Sequence, residues 1–214
     1  MSISSDKYAL ALHTTTPELG LVISNFAGDK RTHVWNLGRE LSSLIHQYLI
    51  DLIKPQSWQD LEFIAVAKGP GGFTGTRIGV VTARTLGQQL EIPVFAVSTL
   101  AAFAWQHKDN FNQKESIIAV EMPAQRGQVF GAIYQVNADN SSINALLEDT
   151  VFTPEKWQEV LENWQTEYHL ISAKSDLAVT VSSILELAYL DYQQGKKPHW
   201  ADALPYYGQH PVDI

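Results

Sequence analysis

The chain has 214 residues, with 15 Lys and Arg against 23 Asp and Glu, a formal net charge of -8, and no cysteine. At 45% hydrophobic and 18% charged residues it is a globular chain, long enough to bury the core of one large or two small domains. The missing cysteines exclude disulfides, thiolate metal sites and cysteine nucleophiles, and agree with a reducing compartment. The N-terminus, MSISSDKYALAL, shows no basic segment followed by a long apolar one, and no apolar run approaches the roughly 20 residues of a membrane helix. A cytoplasmic protein without membrane contact is the expectation. The first hundred residues balance eight basic against eight acidic groups, so the whole of the -8 lies in the remainder. An acidic chain without a basic stripe makes a poor stand-alone nucleic-acid binder, because that affinity rests on neutralising phosphates.

In chain order, residues 7–13 alternate like a strand and run into the turn Thr14-Thr15-Thr16-Pro17. Strands are predicted over Gly20–Phe26 and about Thr32–Leu37. A helix follows, with Leu41, Leu44, Ile45, Tyr48, Leu49, Leu52 and Ile53 on one face and Pro55 just beyond its end. Phe63–Ala67 reads as a buried strand. Then come a glycine-rich loop at Gly69–Gly75, a helix to about Leu90, a strand at Pro93–Val97, and a helix capped by Ser98 and reaching His107. The second half repeats the order: strands at Ile117–Met122, Gln128–Val136 and, more weakly, Ile143–Leu147. A helix starts at Thr153-Pro154 with Trp157, Val160, Leu161 and Trp164 on one face. A strand at Tyr168–Ser172 precedes a helix beginning at Ser175 or Asp176 and stopped by Gly195 and Pro198. Each half therefore reads β-β-β-α-β-α. The pattern predicts an α/β protein of actin-like (ASKHA, ribonuclease H-like) two-lobe fold with a mixed sheet in each lobe. The expected lobes are 1–105, with the glycine-rich motif, and a smaller acidic one at 106–214, joined by the polar stretch Gln106–Glu115.

The densest motif is Gly69-Pro70-Gly71-Gly72-Phe73-Thr74-Gly75-Thr76-Arg77-Ile78-Gly79. It lacks the Gly-Lys-Ser/Thr of a Walker A loop and the spacing of a dinucleotide fingerprint. Spacing leaves two readings open: backbone N–H groups cradling a phosphate, or a tight structural turn. Gly75, Gly79, Ala83 and Gly87 recur every fourth residue, a helix face without side chains. Glycines in a helix interior cost roughly 1 kcal/mol each against alanine, so a close neighbour must compensate. That neighbour is either a helix of the same subunit or a partner protein. The turn at His13, Thr14 and Thr15 and the lone Arg126 in the Glu121–Phe130 hairpin are candidates for a cleft between the lobes; the alternative for each is an ordinary polar turn. Metal binding is not expected: the seven histidines stand at least 11 residues apart, and no H-x-x-x-H or H-E-x-x-H pair occurs. No G-x-S-x-G elbow is present either.

The stretch Ala65–Gly79 with its G-P-G-G-F-T-G-T-R-I-G core, continuing to Ile92-Pro93-Val94-Phe95-Ala96-Val97-Ser98-Thr99-Leu100, resembles the bacterial TsaB (YeaZ) family. The likeness is strong over about residues 60–105 and thin across the acidic half. The resemblance implies an actin-like fold and a role in making N6-threonylcarbamoyladenosine on tRNA, as a non-catalytic partner of the transferase TsaD, with the ATPase TsaE joining both. It implies pairing with TsaD, or with itself when TsaD is absent, through the helices at 38–53 and 75–90. On this chain those helices carry Leu41, Ile45, Gly75, Arg77, Gly79, Ala83 and Gly87. It further implies tRNA contact only through the complex and no tightly bound cofactor, with ATP or ADP only alongside partners. The family's Asp-Thr-Ser-Thr appears here as His13-Thr14-Thr15-Thr16, its H-S-E as Leu37-Gly38-Arg39-Glu40 with only the Glu aligned, and its loop serine as Gly72. The competing readings are a sugar-kinase-type phosphotransferase and a metallopeptidase.

Overall fold

The computed structural model describes residues 3–110, 116–137, 139 and 141–209. Residues 111–115, the end of the expected linker, and the histidine at 210 lie outside them. The first half forms β1 (Tyr8–His13), β2 (Glu18–Ser24), β3 (Lys30–Asn36), α1 (Leu41–Ile53), β4 (Leu61–Ala67), α2 (Phe73–Leu90), β5 (Val94–Val97) and α3 (Thr99–His107). The second forms β6 (Ser116–Pro123), β7 (Val129–Val136), β8 (Ile143–Phe152), α4 (Pro154–Glu162), β9 (His169–Ser172) and α5 (Val181–Gln193). The sheets run β3-β2-β1-β4-β5 and β8-β7-β6-β9. In each, the first three strands are antiparallel neighbours and the next joins the first in parallel, at β1/β4 and β6/β9. This twice-used mixed order is the actin-like two-lobe architecture that the element pattern predicts.

Boundaries differ from expectation where tertiary pairing decides them. β8 extends to Phe152 because β7 pairs with it along its length. α2 begins at Phe73, so Gly75 is helical and not part of the loop. Asp176 sits at φ 71, which no helix continues; a single 3-10 turn over Leu177–Thr180 precedes α5.

Strand alternation divides the first lobe's core. Leu10 and Leu12 of β1 face α1 and α2 together with Leu41, Ile45 and Leu49, and each such fully buried side chain contributes about 1.5–3 kcal/mol. Ala9 and Ala11 point to the other face, where their small size lets α5 lie close through Val181, Ile184 and Ala188. α5, from the second half, thus covers the first sheet. α3, from the first half, lends Leu100, Ala104 and Trp105 to the core around Ile118, Val120 and Tyr134 of the second sheet. Residue 105 therefore lies inside a helix that is exchanged between lobes. On the outer face of the second sheet, Trp157 of α4 packs on Ala119 and Ile133, over Gly131, where a Cβ would stand 2.6 Å from the indole. No helix among the described residues is long and apolar enough to cross a membrane.

Candidate docking groove and interlobe cleft

The glycine-rich loop is packed by its own chain. A Cβ on Gly69, at φ 105, would stand 2.2 Å from the Tyr206 carbonyl oxygen, and one on Gly71 would stand 2.4 Å from that of Thr15. The Gly72 N–H donates to the same Thr15 oxygen at 2.7 Å. The loop is thus wedged between the β1–β2 turn and a C-terminal segment.

The small-residue face of α2 also turns inward. A Cβ at Gly75 would meet the Thr14 carbonyl oxygen at 2.1 Å, one at Gly79 would meet Thr14 Oγ1 at 2.1 Å, and one at Gly87 would meet Val94 at 2.3 Å. Thr14 Oγ1 donates to the Gly75 carbonyl at 2.8 Å, and Ala83 is buried. This corrects the expectation that Gly75, Gly79, Ala83 and Gly87 form an open partner face. The helix sits so close to the β1–β2 turn and β5 that no side chain fits, and this intramolecular approach compensates the cost of the glycines. Of the other expected interface residues, Leu41 and Ile45 are buried and Arg77 is exposed.

The opposite face of α2 is open. Phe73, Arg77, Ile78, Val81 and Thr85 stand across from Ser42, His46 and Ile50 of α1, enclosing a groove of about 770 Å³ floored by Ile45, Leu49 and Leu86. Val81 is 52% exposed and Ile50 45%. Ile50 was findable from sequence, because it stands off the apolar stripe of its helix. Val81 follows the buried Val80, and the sequence of α2 does not tell which of the two faces solvent.

A second cavity, about 1190 Å³, opens between the lobes. One wall holds Thr14–Pro17, Arg39 and Gly71–Gly75; the other holds Met122–Gln125, Phe130, Lys174, Ser175, Tyr207 and Gln209. Among the described residues its lining carries two cations, Arg39 and Lys174, and no carboxylate. Thr14 and Thr15 line it, although both are buried. His13 does not. It is fully buried, and neither ring nitrogen has a hydrogen-bond partner among the described residues. Burial alone pushes its pKa down to about 3, so the ring is neutral. Arg126 is exposed at φ 58 in the hairpin turn and is not part of the lining; its neighbour Gln125 is. Lys174 and the C-terminal residues carried no local signal, since only the tertiary fold brings them to the cleft.

Beside the cleft, Tyr134 OH donates to Asp149 Oδ1 at 2.5 Å and lies 3.1 Å from Oγ of Ser98, the N-cap of α3. Burial pushes the Asp149 carboxyl above its usual range, opposed by hydrogen bonds from Ser98 and Tyr134 and by the charge of Lys68. Among the described residues no three His, Asp or Glu side chains gather where they could hold a metal ion.

A family model described as "TsaD: tRNA N6-adenosine threonylcarbamoyltransferase" matches residues 30–189. The Escherichia coli (strain K12) tRNA threonylcarbamoyladenosine biosynthesis protein TsaB is 30% identical over 166 residues, 73% of this chain and 69% of that protein. The Bacillus subtilis protein of the same name is 44% identical over 93 residues, 44% of this chain, and the match spans only 36% of that relative's length. Among solved structures, YeaZ from Pseudomonas aeruginosa superposes with a TM-score of 0.74 at 21% identity, covering 94% of this chain and 99% of that one. A further Pseudomonas aeruginosa structure, "an uncharacterized protein with similarity to peptidase YEAZ", gives 0.76 at 22% identity over 95% and 100%. These two likenesses establish a shared fold.

Proposed function

From the premise that this chain belongs to the TsaB (YeaZ) family, we propose that it is a non-catalytic assembly subunit of the complex that makes N6-threonylcarbamoyladenosine on tRNA, pairing with TsaD through the open face of α1 and α2. The observation that carries this reading is the groove: two large aliphatic side chains, Ile50 and Val81, stand in solvent on adjacent helices over an apolar floor. Covering the exposed half of such side chains contributes about 1 kcal/mol each, which makes this face a favourable contact for a partner protein. Arg77 and His46 at its edge supply the polar rim. The same face would hold a second copy of the chain when TsaD is absent.

The cleft supports assembly over phosphotransfer. The strand end behind it holds a buried neutral imidazole at His13, and among the described residues its lining offers no carboxylate to position a magnesium nucleotide. ATP or ADP, if it enters, does so in the assembled complex with TsaE, and tRNA is gripped by the partners, since the second half of this chain is acidic. Reconstitution with TsaD, TsaE and tRNA, omitting one protein at a time, tests the assignment. Omitting this chain should abolish modification although the chain alone turns over no ATP. Full modification without it, or ATP turnover by the isolated chain, contradicts the reading.

A further inference from the structure

The groove and the cleft share a wall. Ser42, Phe73, Thr74 and Ile78 line both. Phe73, the first residue of α2, packs its ring on Tyr207 with centroids 4.4 Å apart and planes tilted by 35°. Tyr207 lines the cleft and not the groove, and it belongs to a segment, residues 203–209, without regular secondary structure.

That segment is tied to both lobes. On the first, Ala203 is buried in the core of α1 and α2, and the Tyr206 N–H donates to the Lys68 carbonyl at 2.6 Å. On the second, Tyr206 OH donates to the Asp149 carbonyl at 2.5 Å. Gln209 is paired twice with the Gln125 backbone: its Nε2 donates to the carbonyl at 3.1 Å, and its Oε1 accepts from the N–H at 3.2 Å. Gln125 lies on the far wall of the cleft. Contacts therefore run from the groove to Phe73 and on to Tyr207, and two residues along the same strap Gln209 reaches the opposite lobe. Gln209 Nε2 also donates to Gln128 Oε1, and Gly208 lies close against Phe130 and Val151; a strap held by such contacts, without a ladder of its own, is the kind of element that shifts at low cost.

We infer that the strap 203–209 couples the two cavities: a partner seated in the α1/α2 groove fixes Phe73, Phe73 fixes Tyr207, and the strap sets where the Gln125–Gln128 hairpin stands across the cleft. The inference rests on the proposed docking of TsaD in that groove. Because coupling between two sites is reciprocal, removing the strap's ring from Phe73, a change that lies outside the groove, must change the groove's affinity.

Hydrogen exchange of the full chain, alone and saturated with TsaD, tests this. Exchange in segments 203–209 and 123–130 should slow at least fivefold on complex formation. In Gln209→Ala the strap should still slow while the hairpin no longer does. Tyr207→Ala should change the Kd for TsaD at least fivefold, and Tyr207→Phe, which keeps the ring, should bind as the wild-type chain does. A complex that forms while either segment exchanges unchanged overturns the coupling and leaves the docking intact. So does a hairpin still protected in Gln209→Ala, which would report direct cover by the partner. Absence of any complex overturns the docking, and the coupling with it. Should Tyr207→Ala fail to fold, the exchange of the wild-type chain and of Gln209→Ala decides.

Discussion

Replacing His13 with leucine should make the protein more resistant to acid while changing its stability little near neutrality. The imidazole is fully buried, both nitrogens lack partners among the described residues, and burial lowers its pKa from 6.5 to about 3. A folded-state pKa below the unfolded one means that the unfolded chain takes up the extra proton first. The stability held by the neutral ring is complete above pH 6.5 and is lost as pH falls toward 3. At pH 5 the loss amounts to about 2 kcal/mol, which for a chain of this size is about 4–8 °C in Tm. Thermal melts of wild type and His13→Leu at pH 7.5 and pH 5 measure it. The drop between the two pH values should be about 4–8 °C larger for wild type, and titration of the other groups cancels in that comparison. Equal drops would refute the reasoning, because they would mean that the buried ring finds a proton or a partner that the geometry does not show.

Gly79→Ala should destabilise the fold by about 1–3 kcal/mol, the usual cost of overpacking, since its Cβ would lie 2.1 Å from Thr14 Oγ1. Combined with Thr14→Ala, which removes that oxygen, the change should cost less than the sum of the two, as a double-mutant cycle by urea unfolding would show. Tyr134→Phe removes the hydroxyl that supports the buried Asp149 carboxylate, and should cost about 1–3 kcal/mol at pH 7.5. Losing that donor raises the folded-state pKa of Asp149 further. The native state then favours the protonated carboxyl, and the deficit should narrow in melts near pH 4. A deficit that does not vary with pH would show that the hydroxyl serves packing alone.

Much of the fold was legible because it is local. The apolar stripe of α1, the Ser98 and Thr153 caps, and the repeated order of elements are properties of short windows. The exchange of α3 and α5 between lobes was not, since both read as ordinary amphipathic helices and only the alanine-lined face of β1 and β4 admits α5. At the candidate site, periodicity showed that α2 has a face without side chains but could not say what lies against it. Thr14, which decides the matter, is 61 residues from Gly75 in sequence. The consequence is practical: bulky residues at Gly79 or Ala83 test folding, and docking must be tested on the opposite face.

That test is a sedimentation titration of TsaD with the wild-type chain and with Ile50→Asp/Val81→Asp. Both side chains are about half exposed, so the double variant should fold and melt like wild type. Each carboxylate buried without a partner in the contact costs several kcal/mol, so the affinity for TsaD should fall at least 100-fold. A double variant that binds TsaD as tightly as wild type would contradict the assignment of this groove as the docking face.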